Sequence, residues 1–226
     1  MSDPDPFSEM KDYYRERAPH HDRYMGYTGA QEMERQLAPV IEWVEPEIVR
    51  RDVLEIACGT GNWTQVLSRR ARTVLATDVF EEYLVEARRK PCERGNVVFR
   101  AADGFTLEGI TESLDAAFAA DWYSHIPNSR IPVFMCALRR ALLPGSRVVL
   151  VDMMSTPELE KDFSHVDDDG NRFYRRTLPT GKSFSVVKNF PSGKELADRL
   201  GPFAADFRYS EHAGLRRWML ACTLKE

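Results

Sequence analysis

The sequence predicts an α/β fold with a mostly parallel sheet, and three observations carry that prediction. Between Asp52 and Met153, short apolar runs alternate with amphipathic stretches of helical period. A glycine turn joins the first apolar run directly to a helix, in "DVLEIACGTGNWTQVLSRR". The last two runs, in "FRYSEHAGLRRWMLACTL", lie close together around His212–Gly214 and suit an antiparallel pair. Parallel neighbours need a long crossover, which a helix supplies, so the earlier alternation implies parallel strands.

Each element has a local reason. Pro4 and Pro6 mark a loose lead-in, and a helix starts at Ser8–Glu9, where a small polar residue and an acidic one favour a first turn. That segment, "SEMKDYYRERAPHHDRYM", clusters Tyr13, Tyr14 and Tyr24. A second helix is expected over Gly29–Val44, because Met33, Leu37, Val40, Ile41 and Val44 recur at helical spacing. Then come "DVLEI", a helix over Trp63–Ala71, "TVLATD", a helix over Glu81–Lys90, "NVVFRA", "LDAAFAA", a helix over Arg130–Leu142 and "RVVLVDM". An insertion at 154–190 breaks the rhythm and holds a hairpin turning at Pro179–Gly181. The expected organisation is one domain, 1–226: a helical cap at 1–46, a core at 47–153, the insertion as lid or interface, and a closing helix and strands at 191–226.

Composition excludes several classes. The 226 residues carry a formal net charge of -4, with 43% hydrophobic and 29% charged residues, values ordinary for a globular protein. That balance argues against a nucleic-acid or anionic-membrane partner. No apolar run approaches the roughly 20 residues of a membrane span, and "MSDPDPFSEM" lacks the basic and apolar regions of a leader, so a cytoplasmic location is expected. Cys58, Cys92, Cys136 and Cys222 show no CxxC or zinc-ligand spacing, which suits free thiols and no metal.

The glycine turn is the most informative stretch. Gly59 and Gly61 let backbone approach a ligand closely, but Thr64 stands where the dinucleotide fingerprint has a small residue, and no Lys-Ser or Lys-Thr pair follows. The turn is not built around phosphates. Glu55 and the run "LEIACGTGNWT" resemble motif I of the class I, Rossmann-like S-adenosylmethionine-dependent methyltransferases of the small-molecule type. The resemblance continues in order through "LATD", "AADGF", "FAADWYSHIP" and "LRRALLPGSRVVLVD", and so extends from Tyr13 to Asp152. It implies a doubly wound, seven-stranded sheet of order 3-2-1-4-5-7-6 with an antiparallel last strand, and an insertion before strand six.

The resemblance also implies S-adenosylmethionine as cofactor, with S-adenosylhomocysteine as product, and assigns roles to residues. Asp78, at a strand end, would accept hydrogen bonds from the ribose hydroxyls, and Asp103 from the adenine amine. Val79, Phe80, Gly104 and Phe105 would wall the base. Ala57, Gly59 and Gly61 would lie along the methionine portion, with Glu55 steadying the loop or meeting the ammonium through water. Tyr13, Tyr14 and Trp63 would cover the sulfonium or anchor the carboxylate, and Asp121 completes the set. A plainer role is open to each: Asp78 or Asp103 alone reads equally as a helix cap, and the tyrosine pair as packing.

The acceptor is less defined. The fourth strand ends in Asp121, Trp122, Tyr123, Ser124 and His125, and segments beyond strand C-termini line the crevice of an open α/β sheet. His125 is the candidate catalytic residue, as general base or orienting group, although "SHIP" also suits a turn that opens a helix at Pro127. Tyr24, Trp122, Tyr123, His125 and Phe173 are the candidate substrate contacts. His20, His21 and Asp22 read as lid or surface residues rather than metal ligands, and the insertion's aromatics, Phe163, Phe173, Tyr174, Phe184 and Phe190, suit an apolar lid or a dimer contact. The expected reaction is methyl transfer to an oxygen or nitrogen of a small, partly apolar molecule, including one of secondary metabolism, by a monomer or homodimer. Alternatives are S-, C- or halide methylation, other chemistry on the same cofactor, and a non-catalytic cofactor-binding regulator or partner.

Overall fold

A computed structural model of the chain describes residues 7–26, 29–92 and 94–225, so the lead-in expected at Pro4 and Pro6 lies outside the described residues. Four helices come first: α1 Ser8–Arg17, α2 His21–Met25, α3 Ala30–Gln36 and α4 Ala38–Ile48. The alternating part follows as β1 Asp52–Ile56, α5 Asn62–Arg70, β2 Thr73–Asp78, α6 Glu81–Arg89, β3 Val97–Ala101, β4 Leu114–Ala120, α7 Ile131–Ala141 and β5 Leu142–Met153. Then come α8 Pro157–Glu160, β6 Phe163–Val166, β7 Arg172–Thr177, β8 Ser183–Val187, α9 Gly193–Leu200, β9 Ala204–His212 and β10 Arg217–Leu224.

The main sheet has seven strands in the order β3-β2-β1-β4-β5-β10-β9, which is the expected 3-2-1-4-5-7-6 once the three strands of the insertion are set aside. The first five are parallel, and β10 runs antiparallel to both β5 and β9. Alternate strand residues point to opposite faces, and both faces are buried. On β5, Val148 and Leu150 join Phe134, Met135 and Leu138 of α7, whereas Val149 and Val151 join Val40 and Val44 of α4 and Leu67 of α5. In α7 the buried residues Ile131, Phe134, Met135 and Leu138 recur at the spacing of one helical face, and Pro132 occupies the first turn, where no intrahelical N–H is needed. Each such large side chain contributes roughly 1.5–3 kcal/mol by leaving water.

Three expectations change. The helix expected over Gly29–Val44 is two helices, because the ring of Pro39 opposes continuation of α3; the chain leaves helical geometry at Leu37 (φ -101°, ψ 15°), and α4 then runs to Ile48. The strand expected at "RVVLVDM" starts earlier, at Leu142, and carries a bulge between the pairs Leu114↔Leu142 and Ala116↔Arg147. The insertion contains the expected hairpin, β7 with β8, but also β6, whose four exposed residues carry no alternation to read. No helix among the described residues is long and apolar enough to cross a membrane.

The insertion and the cap meet. Tyr13 of α1 packs against Phe184 of β8 with ring centroids 5.7 Å apart, the Ser185 N–H donates to Glu9 at 2.8 Å, and Lys182 pairs with Glu16. Together they roof the crevice at the C-terminal ends of β1 and β4, the point where successive strands depart in opposite directions from the middle of the sheet.

Candidate active site

The crevice begins where β1 and β4 end, and both ends are turned sharply. Ala57 (φ 53°) and Asp121 (φ 54°) are non-glycine residues in the left-handed region, a conformation that persists only where surrounding structure imposes it. Gly59 (φ 55°) and Gly61 (φ 78°) complete the turn into α5. Asp78, at the end of β2, braces it: one carboxylate oxygen accepts the Gly59 N–H at 2.9 Å and the other accepts the Phe80 N–H at 3.0 Å. Burial pushes the Asp78 carboxyl up to about 6. Each of its oxygens retains a lone pair for a ligand hydroxyl.

Strand alternation sends Glu55 to the α5 side, where the Thr64 hydroxyl donates to it at 2.6 Å. Thr64, which breaks the dinucleotide pattern, is thus the partner of a buried acid that burial pushes up to about 8. Gly61 does not line the cavity; a Cβ there would lie 3.0 Å from the Ala87 Cβ, so this glycine serves the packing of α5 against α6. Trp63 lies at the cavity edge and packs at a tilt against Phe118 in the core, with centroids 4.9 Å apart. Cys58 is buried, and burial pushes its thiol well up, which suits a spacer rather than a nucleophile.

The far wall is built on Asp103, whose carboxylate accepts the Phe105 N–H at 2.8 Å and so holds its own turn. Beside it, a Cβ on Gly104 would come within 2.8 Å of Trp122 Cζ2 and 3.0 Å of Ile56 Cγ2. The Trp122 ring lies between Phe105 and Phe134, at 5.3 and 5.0 Å. Val79 and Phe80 also line the cavity, as does Asp121, whose carboxylate pairs with Arg217.

The roof comes from α1, α2 and the insertion. The Tyr14 hydroxyl lies 2.8 Å from His125 Nε2, and His125 Nδ1 lies 2.5 Å from the Val187 carbonyl oxygen. A carbonyl only accepts, so Nδ1 carries the proton, Nε2 accepts, and Tyr14 donates. Burial first, and Lys188 second, hold His125 down at about 3, so the ring is neutral. Burial pushes the Tyr14 phenol up, so it keeps its proton. Beneath His125, Lys188 donates to Ser124 Oγ at 2.6 Å and pairs with Asp152 at 3.0 Å. Burial alone would raise the Asp152 carboxyl; Lys188 and the N–H groups of Ser124 and Met153 outweigh it and hold that acid below its usual range.

Two candidate substrate contacts lie elsewhere. Tyr123 is buried against Trp218, with centroids 5.9 Å apart, and is absent from the cavity wall, because the three residues per turn of the 3-10 helix Tyr123–His125 aim each of its side chains in a different direction. Phe173 is buried in the insertion's own core with Phe184 and Val186 and stacks on His165, since the pleat of β7 points it away from the crevice. Tyr24, Trp122 and His125 do line the cavity, as does Tyr13. Sequence reasoning missed Arg17 and Lys188, both on the cavity wall, and read His21 and Asp22 only as lid or surface residues. His21 lies over Gly59, and Asp22 accepts from Thr60 Oγ1 at 2.5 Å, Asn62 Nδ2 at 2.8 Å and Lys90 Nζ at 2.6 Å. A lysine after the apolar run of "SFSVVKNF" was a signal for Lys188.

The whole cavity measures about 520 Å³. Comparison with known proteins gives this geometry a family. Residues 53–145 match the model of a methyltransferase domain. The fold superposes on DhpI in its complex with SAH, with a TM-score of 0.75, 31% identity and 97% of each chain covered. DhpI in its complex with SAM and HEP gives 0.75 and 32% over 98% of this chain and 99% of that one. The chain belongs to the S-adenosylmethionine-dependent methyltransferases. Among curated methyltransferases it is 26% identical to phosphoethanolamine N-methyltransferase 1 of Caenorhabditis elegans over 50% of this chain and 24% of that protein. It is 25% identical to the ubiquinone biosynthesis O-methyltransferase of Pseudomonas fluorescens strain Pf0-1, over 52% of each. The chain thus spans from about a quarter to about half the length of these curated relatives.

The residues of this methyltransferase fit the cofactor of its family. Gly59 (φ 55°) turns the chain in a conformation that favours glycine, and a Cβ there would point to His21 Nε2, 3.6 Å away across the cavity. Asp78 and Asp103, at successive strand ends, offer acceptors of the kind a ribose diol and an adenine amine need. The Nδ1 atom of His21 is buried with no partner among the described residues, an orphan that a ligand in this cavity would satisfy.

Proposed function

We propose that this chain transfers a methyl group from S-adenosylmethionine to an oxygen or nitrogen of a small, partly apolar acceptor. The observation that carries the reading is one cavity of about 520 Å³ with the glycine turn, Asp78 and Asp103 on one side and the Tyr14–His125 pair on another, a size suited to small molecules. The nematode relative is named for N-methylation and the Pseudomonas relative for O-methylation, which supports keeping both acceptor atoms.

When bound, S-adenosylmethionine supplies an electrophilic sulfonium methyl group. Asp78 would hold the ribose, Asp103 the adenine amine, and the backbone of Ala57 and Gly59 the amino-acid end. Because the Tyr14 proton is directed at His125, the phenolic oxygen keeps lone pairs free to accept the O–H or N–H of an acceptor and aim its attacking atom. The acceptor proton passes to Tyr14 as the Tyr14 proton passes to His125 Nε2. A base held near 3 is too weak to ionise an alcohol beforehand. For an oxygen acceptor it suffices late in the reaction, when bond formation has made the acceptor proton strongly acidic; a neutral nitrogen attacks through its own lone pair and needs no base. Alignment under the roof of α1 and the insertion, with water excluded, therefore supplies most of the rate.

Calorimetry with S-adenosylhomocysteine tests the cofactor half. Asp78→Ala is expected to weaken binding about tenfold or more, by loss of charge-assisted hydrogen bonds and of the brace on Gly59; unchanged affinity refutes the assignment. A screen of candidate acceptors with labelled cofactor and mass detection tests the other half. Intact cofactor binding without labelled product from any acceptor would favour a non-catalytic binder.

A further inference from the structure

Val187, where β8 ends, lies against His125, 62 residues earlier in the chain. His125 Nδ1 donates to the Val187 carbonyl at 2.5 Å, and two residues on the Asn189 N–H donates to the Ser124 carbonyl at 2.7 Å. Between them Lys188 Nζ donates to Ser124 Oγ at 2.6 Å. The end of the insertion therefore runs alongside the turn that carries His125 and bonds to it at consecutive positions.

Two buried asparagines fix this register. Asn189 Nδ2 donates to the Ile126 carbonyl at 3.2 Å while its Oδ1 accepts the Arg172 N–H at 2.9 Å, so one side chain joins the turn to the start of β7. Asn171 Oδ1 accepts the Asn128 N–H at 2.7 Å. Both residues are buried and neither lines the cavity, so any effect they have on the reaction passes through the backbone they hold.

The register matters because a neutral imidazole has two forms. With the proton on Nδ1, Nε2 accepts the Tyr14 hydroxyl; with the proton on Nε2, Nδ1 would turn a lone pair toward the Val187 carbonyl oxygen, acceptor against acceptor. The carbonyl selects the first form only while it stays in line with Nδ1 at hydrogen-bond distance. Where the insertion lies along the turn decides that.

We propose that Asn189 is a positioning residue: with Asn171 it holds the end of the insertion in register with the turn, so that the Val187 carbonyl keeps His125 in the Nδ1–H form. The insertion then acts as a tautomer clamp as well as a roof. Its consequence for turnover rests on the methyltransferase reading and on the Tyr14–His125 pair, whereas the clamp itself is a property of the folded chain.

NMR of the full chain with isotopically labelled histidine nitrogens tests the clamp, the His125 signals being assigned by their absence in His125→Gln. At pH 7 the wild type should show a protonated Nδ1 and an unprotonated Nε2. Asn189→Ala and Asn171→Ala should each move His125 to a mixture of tautomers while S-adenosylhomocysteine affinity by calorimetry stays at the wild-type value. With an acceptor that is turned over, Asn189→Ala should lower kcat by about tenfold or more with KM little changed, because the attacking atom is no longer aimed. A wild type with its proton on Nε2 overturns the proposal without any variant. A lower melting temperature in Asn189→Ala with the wild-type tautomer and kcat also overturns it, since packing alone would explain that result; if Asn189→Ala does not fold, Asn171→Ala is judged by the same criterion. A tautomer shift in the variants together with wild-type turnover by His125→Ala defeats the reading of the Tyr14–His125 pair instead, and the clamp stands.

Discussion

The Tyr14 hydroxyl and His125 Nε2 lie 2.8 Å apart, joining the cap helix α1 to the turn beyond β4 across 111 residues of sequence. This bond makes one unit of a histidine held neutral by burial and a tyrosine that burial keeps protonated.

Tyr14→Phe and His125→Ala are each expected to lower kcat by about 10²-fold, within the span of acid–base and orienting groups, while changing S-adenosylhomocysteine affinity little. The double variant should be scarcely worse than either single one, because the two act together. Since His125 sits near 3 rather than 6.5, wild-type kcat/KM should show no histidine limb between pH 5 and 8. An inflection near 6.5 that disappears in His125→Ala would contradict this account.

Glu55 predicts a pH effect on the cofactor-free protein. Its folded pKa of about 8 lies above the ordinary 4.5, so the folded state binds the extra proton, and stability from this group is lost as pH rises through that window. Glu55→Gln keeps an acceptor for the Thr64 hydroxyl and removes the ionisation. Its melting temperature should therefore match wild type near pH 4 and exceed it increasingly toward pH 8.5. A constant offset at every pH would locate the effect in packing instead.

Asp22 fastens the cap to the cofactor loop through Thr60, Asn62 and Lys90. Burial alone would raise its carboxyl, but the hydrogen bonds from Lys90, Thr60 and Asn62 hold it below its usual range. Asp22→Ala should speed dissociation of S-adenosylhomocysteine several-fold in stopped-flow chases, because α2, which carries His21 over Gly59, loses its anchor. Lys90→Met should do the same, and the pair should not add. A dissociation rate equal to wild type in both variants would free Asp22 of this role.

Tyr123 has a buried hydroxyl with no partner among the described residues. Removing an unsatisfied polar atom from a packed core is neutral or stabilising, so Tyr123→Phe should leave kcat and KM unchanged and shift stability by about 0 to +1 kcal/mol, measured by urea unfolding. A rise in acceptor KM would restore Tyr123 to the substrate site.

Much of the cavity wall around the glycine turn was legible because it is local. "LEIACGTGNWT" places its glycines and Glu55 on a strand, turn and helix whose geometry follows from spacing, and "LATD" and "AADGF" place Asp78 and Asp103 at strand ends in the same way. The acceptor side was less legible. Tyr123 and His125 are two positions apart in one short turn, yet one faces the core and the other the cavity. The aromatics of the insertion read as a lid, but Phe173 packs inside it.

The sequence by itself determined the alternation, the glycine turn, the carboxylates that follow it and the strand order they imply, because strand and helix periods with turn chemistry act over a few residues. The tertiary structure alone decided that Tyr14 meets His125 and that Asp22 ties the cap to Thr60. These contacts join segments tens to more than a hundred residues apart. Whether a side chain at such a distance finds a partner or a ligand depends on how the cap and the insertion close over the sheet, which no local pattern encodes.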